Sequence, residues 1–527
     1  MTPPHGNVAF GLVERATIHP HRPAIIEGMG RRRRVISFRG LADRVSRLAV
    51  GLSKAGLGPG EKALLFVPMS IDLYTAILAV LHAGAQAVFL DAWASRARLA
   101  QAIALVSPKA FIGSPRAHLL RLLSPHIRQI PLKIMAGNGP LSLDRFTERS
   151  GSAPFPSDPA SHALVTFTTG STGTPKATPR SHGFLWAQHR VLARHLGLTD
   201  SDIDLPTLPV FVFNNLAQGV PSVLPAFDPR RPADIRADLI LEQMFQEGVT
   251  TTCGSPAFFQ RLADHAERVG RQIPVRRLFT GGASVFPPLA SQLARWTAGS
   301  VEIMYGSSEA EPISTVPAEE LVSASLSPEA DGILAGRPVP EIQVELIRPD
   351  PDPVRLDATP WESLRVPPGQ VGEIVVAGDH VLRGYLNAPE DDARNKIRAG
   401  ECVWHRTGDA GRFDSSGCLW LMGRISHGVR KEGRIWWNTA AEARALGVPG
   451  VTHASFIGIP GPHGTRATLC LEAKPGYDRE KLRREVKDAM DPIPVDEIRV
   501  MSRIPRDPRH QSKVDTVRLL ELLRRLR

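Results

Sequence analysis

The chain has 527 residues, 42% of them hydrophobic, and 64 Lys+Arg against 53 Asp+Glu give a formal net charge of +11. That length exceeds what one core serves, so at least two domains are expected, and the hydrophobic share suffices to build them. No run of about 18 apolar residues argues for a membrane span. The start, Met1-Thr-Pro-Pro-His5, lacks a charged-then-apolar export pattern, so a cytoplasmic location is expected. Outside Arg31 to Arg34 and the arginines at 518, 524, 525 and 527 the basic residues are scattered without interleaved aromatics, which argues against nucleic acid as a partner. Cys253, Cys402, Cys418 and Cys470 form no C-x-x-C pair and suggest neither a disulfide framework nor a zinc site.

In chain order, residues 62–90 read strand, helix, strand: an apolar run at 63–67, a turn at Pro68, a helical pattern over 71–82 closed by Gly84, and a second run at 87–90. A further alternation over 99–112 makes the first part of the chain doubly wound α/β. Residues 141–160 are polar, proline-containing and aperiodic, and read as a surface linker.

Next comes the stretch around which the rest is organised. A β-branched run from Leu164 ends in Thr168 and Thr169, and Gly170, Ser171, Thr172, Gly173, Thr174, Pro175 and Lys176 follow. A strand thus feeds a loop in which glycines turn backbone N–H groups inward, hydroxyls add donors, and Lys176 supplies a full charge for an anion. The spacing departs from the Walker loop, and Pro175 beside Lys176 predicts a hairpin rather than a helix N-terminus.

Residues 184–196 read as a helix, and 204–213 as a short strand whose aromatic end is suited either to an apolar pocket or to plain core packing. Three later strands, at 249–255, 278–282 and 301–306, each end in Gly, Ser or Thr turns, which places a crevice at the carboxyl edge of a parallel sheet. Glu309 at such an edge suits a magnesium ligand. From Gly332 onward the strands at 344–347, 372–377 and 418–423 read as antiparallel, a β-barrel-like part of the large domain. Beyond Arg424 the pattern is β-α-β with a terminal amphipathic helix, apolar at 514, 517, 520, 523 and 526. The expected organisation is a large domain, 1–424, and a small mobile α+β lid, 425–527. The terminal helix is expected to pack on its own domain, with peripheral membrane contact as the other reading.

Together these motifs resemble the adenylate-forming superfamily of acyl-CoA synthetases, peptide-synthetase adenylation domains and luciferases, over nearly the whole chain. The 168–176 loop is similar to its phosphate-binding signature, Tyr305-Gly306-Ser307-Ser308-Glu309 to its adenine and magnesium motif, His405-Arg-Thr-Gly-Asp409 to its ribose motif, and Gly423-Arg424 to its interdomain junction. Lys513 stands in the place of its catalytic lysine. Within the superfamily, the stretches at 204–209, 228–233 and 507–513 resemble the olefin β-lactone synthetases and related fatty-acid ligases.

The resemblance implies that ATP and Mg²⁺ are used, with Thr168, Thr169, Gly170, Ser171, Thr172, Gly173 and Lys176 on the phosphates and Thr168 and Glu309 at the metal. It further implies that Tyr305 packs on adenine while Gly282 and Ala283 wall it, with Gly306, Ser307 and Ser308 alongside, that Asp409 holds the ribose and Arg424 the ribose or phosphate, and that Lys513 meets the attacking carboxylate and the α-phosphate. Elementary chemistry agrees: a carboxylate attacking ATP joins two anions, so the site must cancel charge rather than supply a nucleophile.

Pro209-Val-Phe-Val212 replaces the usual P-x-x-H, Ser426 stands where the junction carries Asp or Lys, and 431–437 alters the thioester-side glycine pattern. These departures leave coenzyme A uncertain and favour closure by the substrate's own 3-hydroxyl, with Phe211, Val212, Phe213 and Phe259 as candidates for the acyl pocket. The expected partner is therefore a small apolar carboxylic acid. Transfer to coenzyme A or a carrier protein is the alternative, a catalytically silent nucleotide-binding protein a more distant one, and no oligomeric state is implied.

Overall fold

The computed structural model describes residues 6–90, 96–169, 175–227, 235–327, 330–357, 359–431, 433–461, 464–506 and 513–525. Among them the strands assemble into sheets of six, fourteen, three and two.

The six-stranded sheet grows from the predicted alternation. Lys62–Phe66 and Gln86–Phe89 pair in parallel and are joined by the helix Ile71–His82, which starts at Ser70, whose hydroxyl accepts from the Leu73 amide. Every residue of that helix except Asp72 is buried. A helix apolar all round is one covered all round, so this one is a central layer rather than a surface ridge. His162–Thr169 adds a parallel strand, and Pro175–Ser181 returns antiparallel to it with Thr168 opposite Lys176. The hairpin arms are those the loop chemistry predicts; Gly170, Ser171, Thr172 and Gly173 at its tip lie outside the described residues.

In the fourteen-stranded sheet Asp204–Pro206, Thr251–Gly254, Arg277–Gly281 and Ser300–Ser307 run parallel in that order, so their carboxyl ends share one edge. Past Ser300–Ser307 the order turns antiparallel through Ala310–Pro317, Ile333–Pro338, Leu419–Arg424, Cys402–Phe413 and Gly372–Ala377 to Gln343–Ile347. This β-rich part is an open continuation of the large sheet. No closed barrel forms among the described residues.

One expected strand is corrected. Extended structure after Asp204 stops at Pro206, and Pro209–Gln218 is a helix. Proline has no N–H to lose at a first helical position, and Gly219, at φ +84°, supplies the left-handed residue that ends the helix.

After Arg424 a tight turn, Ile425–His427, leads to the helix Asn438–Leu446 and the sheet of Val451–Gly461, Gly464–Ala473 and Glu497–Met501. These residues bury a core of their own around Phe456, Leu469, Leu482 and Val486. The terminal helix Thr516–Arg525 buries Leu519 and Leu523 against Ile457, Ile459 and Ile504, while Val517 is 68% exposed. The expected stripe at three-residue spacing drifts round the helix, because three residues fall short of a 3.6-residue turn. The buried pair is instead four apart. No helix among the described residues is long and apolar enough to cross a membrane.

Candidate active site

Lys176 leaves the glycine-rich hairpin on the strand Pro175–Ser181 and is buried, 8% exposed. Its Nζ stands 2.7 Å from Asp391 Oδ1 and 5.4 Å from the centre of the Tyr385 ring. Tyr385 in turn donates its hydroxyl to Glu309 Oε1 at 3.1 Å. Lysine and glutamate, 133 positions apart in sequence, are thus gathered around one tyrosine. Burial, then the Glu309 charge, pushes the Tyr385 hydroxyl far above its ordinary range, so it stays a donor to the carboxylate.

Glu309 is fixed from its backbone as well. The Leu382 amide donates to its carbonyl at 2.7 Å, and its own amide donates to Ser307 Oγ at 3.2 Å. Arg180, buried on the same strand as Lys176, donates to the Ser308 carbonyl at 2.8 Å and so ties the hairpin to the turn that carries Glu309. Among the described residues no group of three His, Cys, Asp or Glu side chains gathers to hold a metal. A cation here would rest on the Glu309 carboxylate and on phosphate oxygens, the sparse protein coordination that suits Mg²⁺.

A second cluster lies where Ser300–Ser307 and Cys402–Phe413 meet. Tyr305 donates to Asp409 Oδ2 at 2.8 Å, and Arg424 donates to Asp409 Oδ1 and to the Thr407 carbonyl at 2.8 and 2.9 Å. The Asp409 charge raises the Arg424 pKa, while burial and then Asp409 hold the Tyr305 hydroxyl well above its usual range. The carboxylate is therefore oriented at both oxygens, as a group presenting acceptors to a diol needs to be. Gly282 follows Arg277–Gly281 at φ +81°, and a Cβ there would meet nothing within 4 Å, so open space stands above that strand end. Ala283 beside it is half-buried.

Lys513 is exposed. Val514, the next residue, forms a bridge with Arg506, and Thr516 Oγ1 lies 3.4 Å from His427 Nε2. His427 follows Arg424 by three residues, so the far end of the chain comes back to the Asp409 cluster.

The acyl-pocket candidates separate. Phe213 lines a partly open, apolar cavity between the helices Ala9–Ile18, Ile71–His82, His182–Leu196 and Pro209–Gln218. Phe211, Val212 and Phe259 belong to three different buried clusters and do not line it. Gln188, also on the cavity wall, donates to the Glu311 carbonyl at 3.4 Å, so the cavity abuts the strand that follows Glu309.

Sequence reasoning missed Tyr385, Asp391, Arg180 and Lys396, whose Nζ lies 3.2 Å from Nδ1 of His405, the first residue of the ribose-like motif. Lys396 also donates to the Leu382 carbonyl and stands 5.2 Å from the Tyr385 ring centre. Burial lowers its pKa to about 7 and holds His405 well below its ordinary value. The only local signal was charge: Asp391 and Asp392 open the helix Pro389–Asn395 in a pattern that a solvated N-terminal turn shows equally.

Comparison with known proteins fits this geometry. The model of the AMP-binding enzyme family matches residues 12–386. A protein of Stenotrophomonas maltophilia named olefin beta-lactone synthetase is 30% identical, with 97% of each chain covered, and a feruloyl-CoA synthase of Amycolatopsis is 29% identical over 85% of each. The crystal structure of ATP-bound MatB from Rhodopseudomonas palustris shares the fold, with a TM-score of 0.81, 22% identity and 99% of both chains covered. With most of its length inside that family model and a near-full-length relative at 30% identity, the chain belongs to the AMP-binding enzymes and is a ligase of the adenylate-forming superfamily.

Proposed function

We propose that this ligase uses ATP with Mg²⁺ to turn an apolar, fatty carboxylic acid into its acyl-adenylate, releasing pyrophosphate, and then closes a 3-hydroxyacyl group to a β-lactone. The observation that carries this is the shared wall: the helix His182–Leu196 lines the apolar cavity and also contacts the strand that follows Glu309. An acid with its chain in the cavity would present its carboxylate near the Lys176, Tyr385 and Glu309 cluster.

In the first step a carboxylate oxygen attacks the α-phosphorus, and the bond to pyrophosphate breaks. Lys176 and Lys513 offset the negative charge that develops, and Glu309 would hold a Mg²⁺ ion, whose charge would offset the remainder when bound. The tyrosine and arginine on Asp409 keep its oxygens aimed at the ribose. In the second step the 3-hydroxyl oxygen attacks the acyl carbon, loses its proton, and AMP departs. Held in place, such an internal nucleophile gains an effective molarity of about 10⁵ M or more, part of which the four-membered ring cancels.

The name of the near-full-length relative supports the lactone step. The feruloyl-CoA synthase favours a thiol acceptor as the second reading. Against it stands Val212, buried in the core where the resemblance expects a histidine. Pyrophosphate exchange over a panel of acids, followed by AMP release from 3-hydroxy acids with and without coenzyme A, tests both steps. Fatty acids are expected to drive exchange, and the 3-hydroxy acid to release AMP without thiol. AMP release that strictly needs coenzyme A would overturn the lactone step, and absence of exchange with every fatty acid would overturn the acid class.

A further inference from the structure

The cavity wall is apolar except at one place. On the helix His182–Leu196, Leu185, Gln188, His189 and Leu192 face the cavity at helical spacing, and Asn214 meets them from the helix Pro209–Gln218. His189 Nδ1 lies 2.9 Å from Asn214 Oδ1, and the Asn214 amide donates to Gln218 Oε1 at 3.0 Å. Asn214 is 3% exposed, and Trp186 packs its ring edge-on against the imidazole at 5.7 Å between centres. Gln188, the residue before His189, is engaged with the Glu311 carbonyl, so the same helix carries the polar spot and touches the strand that follows Glu309.

That chain of bonds fixes the chemistry of the ring. Because the Asn214 nitrogen is spent on Gln218, its oxygen must accept from His189 Nδ1–H. A neutral imidazole with a proton on Nδ1 carries a bare acceptor at Nε2. Burial lowers the His189 pKa and keeps the ring neutral, ahead of the opposing effect of the Asn214 bond. An acceptor on an otherwise apolar wall loses its water when a hydrocarbon chain enters and recovers a partner only if that chain brings an O–H.

We propose that His189, oriented by Asn214, determines specificity by accepting a hydrogen bond from a hydroxyl on the acyl chain, so that the cavity selects hydroxylated over plain fatty acids. This rests on reading the cavity as the acyl site. It assigns to one residue a preference that apolar lining cannot produce, since hydrocarbon walls reject an added hydroxyl weakly and never reward it.

The test is pyrophosphate exchange by the full-length enzyme with chain-matched acids: unsubstituted, 2-, 3- and 4-hydroxy, 3-oxo and 3-methoxy. At least one hydroxy acid is expected to exceed the unsubstituted acid in kcat/KM by about tenfold, the usual worth of one buried hydrogen bond. The 3-oxo and 3-methoxy acids, which offer no donor, should lose that advantage. His189→Leu should bring the hydroxy-to-plain ratio close to one by raising activity on the plain acid, and His189→Gln should restore part of it. A ratio unmoved in His189→Leu, or a methoxy or oxo acid preferred as strongly as the hydroxy acid, would overturn the proposal. The methoxy arm needs only the wild-type enzyme, so a variant that fails to fold does not remove the test. Exchange with none of these acids would instead overturn the fatty-acid reading on which this one stands.

Discussion

At the scale of single residues, the site is a set of charges arranged to leave none alone. Asp409 is held at both oxygens by Tyr305 and Arg424. Asp409→Asn replaces one acceptor with a donor facing the Arg424 guanidinium, and hydrogen bonds to charged groups are worth about 1.5–3 kcal/mol. The KM for ATP in pyrophosphate exchange should therefore rise by roughly 10- to 100-fold, with thermal stability nearly unchanged. A different buried carboxylate shows the cost of a charge without a cation. Asp204 is 3% exposed and accepts only from Asn215 and Thr251 among the described residues, and burial lifts its pKa to about 6. The native state thus keeps a proton that the unfolded chain gives up near pH 4, so stability is full below that and falls as pH rises toward 6. Asp204→Asn should be neutral at pH 4 and stabilising by about 2–3 kcal/mol above pH 6, read from urea unfolding at pH 4 and pH 8. The amide also offers a donor to Asn215 Oδ1, which has no hydrogen-bond partner among the described residues.

At the scale of elements, proline and glycine outweighed β-branched composition. The run at 210–213 reads as strand by side-chain type, yet Pro209 and Gly219 bracket a helix, and both were visible in sequence. The terminal helix offers a sharper comparison, because its apolar residues divide by face. Leu519 is fully buried and Val517 largely exposed. Leu519→Ala should cost about 2–5 kcal/mol through lost burial and a cavity, while Val517→Ala should stay within about 0.5 kcal/mol. Thermal melts of the two variants would separate the observed buried face from the three-residue stripe.

At the scale of the whole molecule, residues hundreds of positions apart converge because the edge strand of the six-stranded sheet meets the turn between two interior strands of the large one. The hairpin of the six-stranded sheet brings Lys176, the crossover from parallel to antiparallel order in the large sheet brings Tyr305 and Glu309, and the tail after Val514 returns to His427 beside Arg424. If the tail supplies its lysine only for the attack on ATP, Lys513→Ala should abolish acyl-adenylate formation while leaving the ATP dissociation constant within about threefold, since ground-state binding rests on the other groups. Calorimetric ATP titration beside pyrophosphate exchange measures the two effects separately.

By itself the sequence determined what is local or written as a motif: the alternation over 62–90, the hairpin before and after Thr168 and Lys176, the carboxyl-edge turns, and the candidate residues Glu309, Asp409 and Arg424. Those follow from backbone preference and from the chemistry an anion demands, which neighbours in the chain suffice to express. Only the tertiary structure decided that Tyr385 joins Lys176 to Glu309, that Lys396 and His405 are buried together, that Phe211, Val212 and Phe259 serve cores while Phe213 lines the cavity, and that His189 meets Asn214. Each of these depends on which faces of distant elements pack together, and packing is a property of the assembled layers that no local window contains.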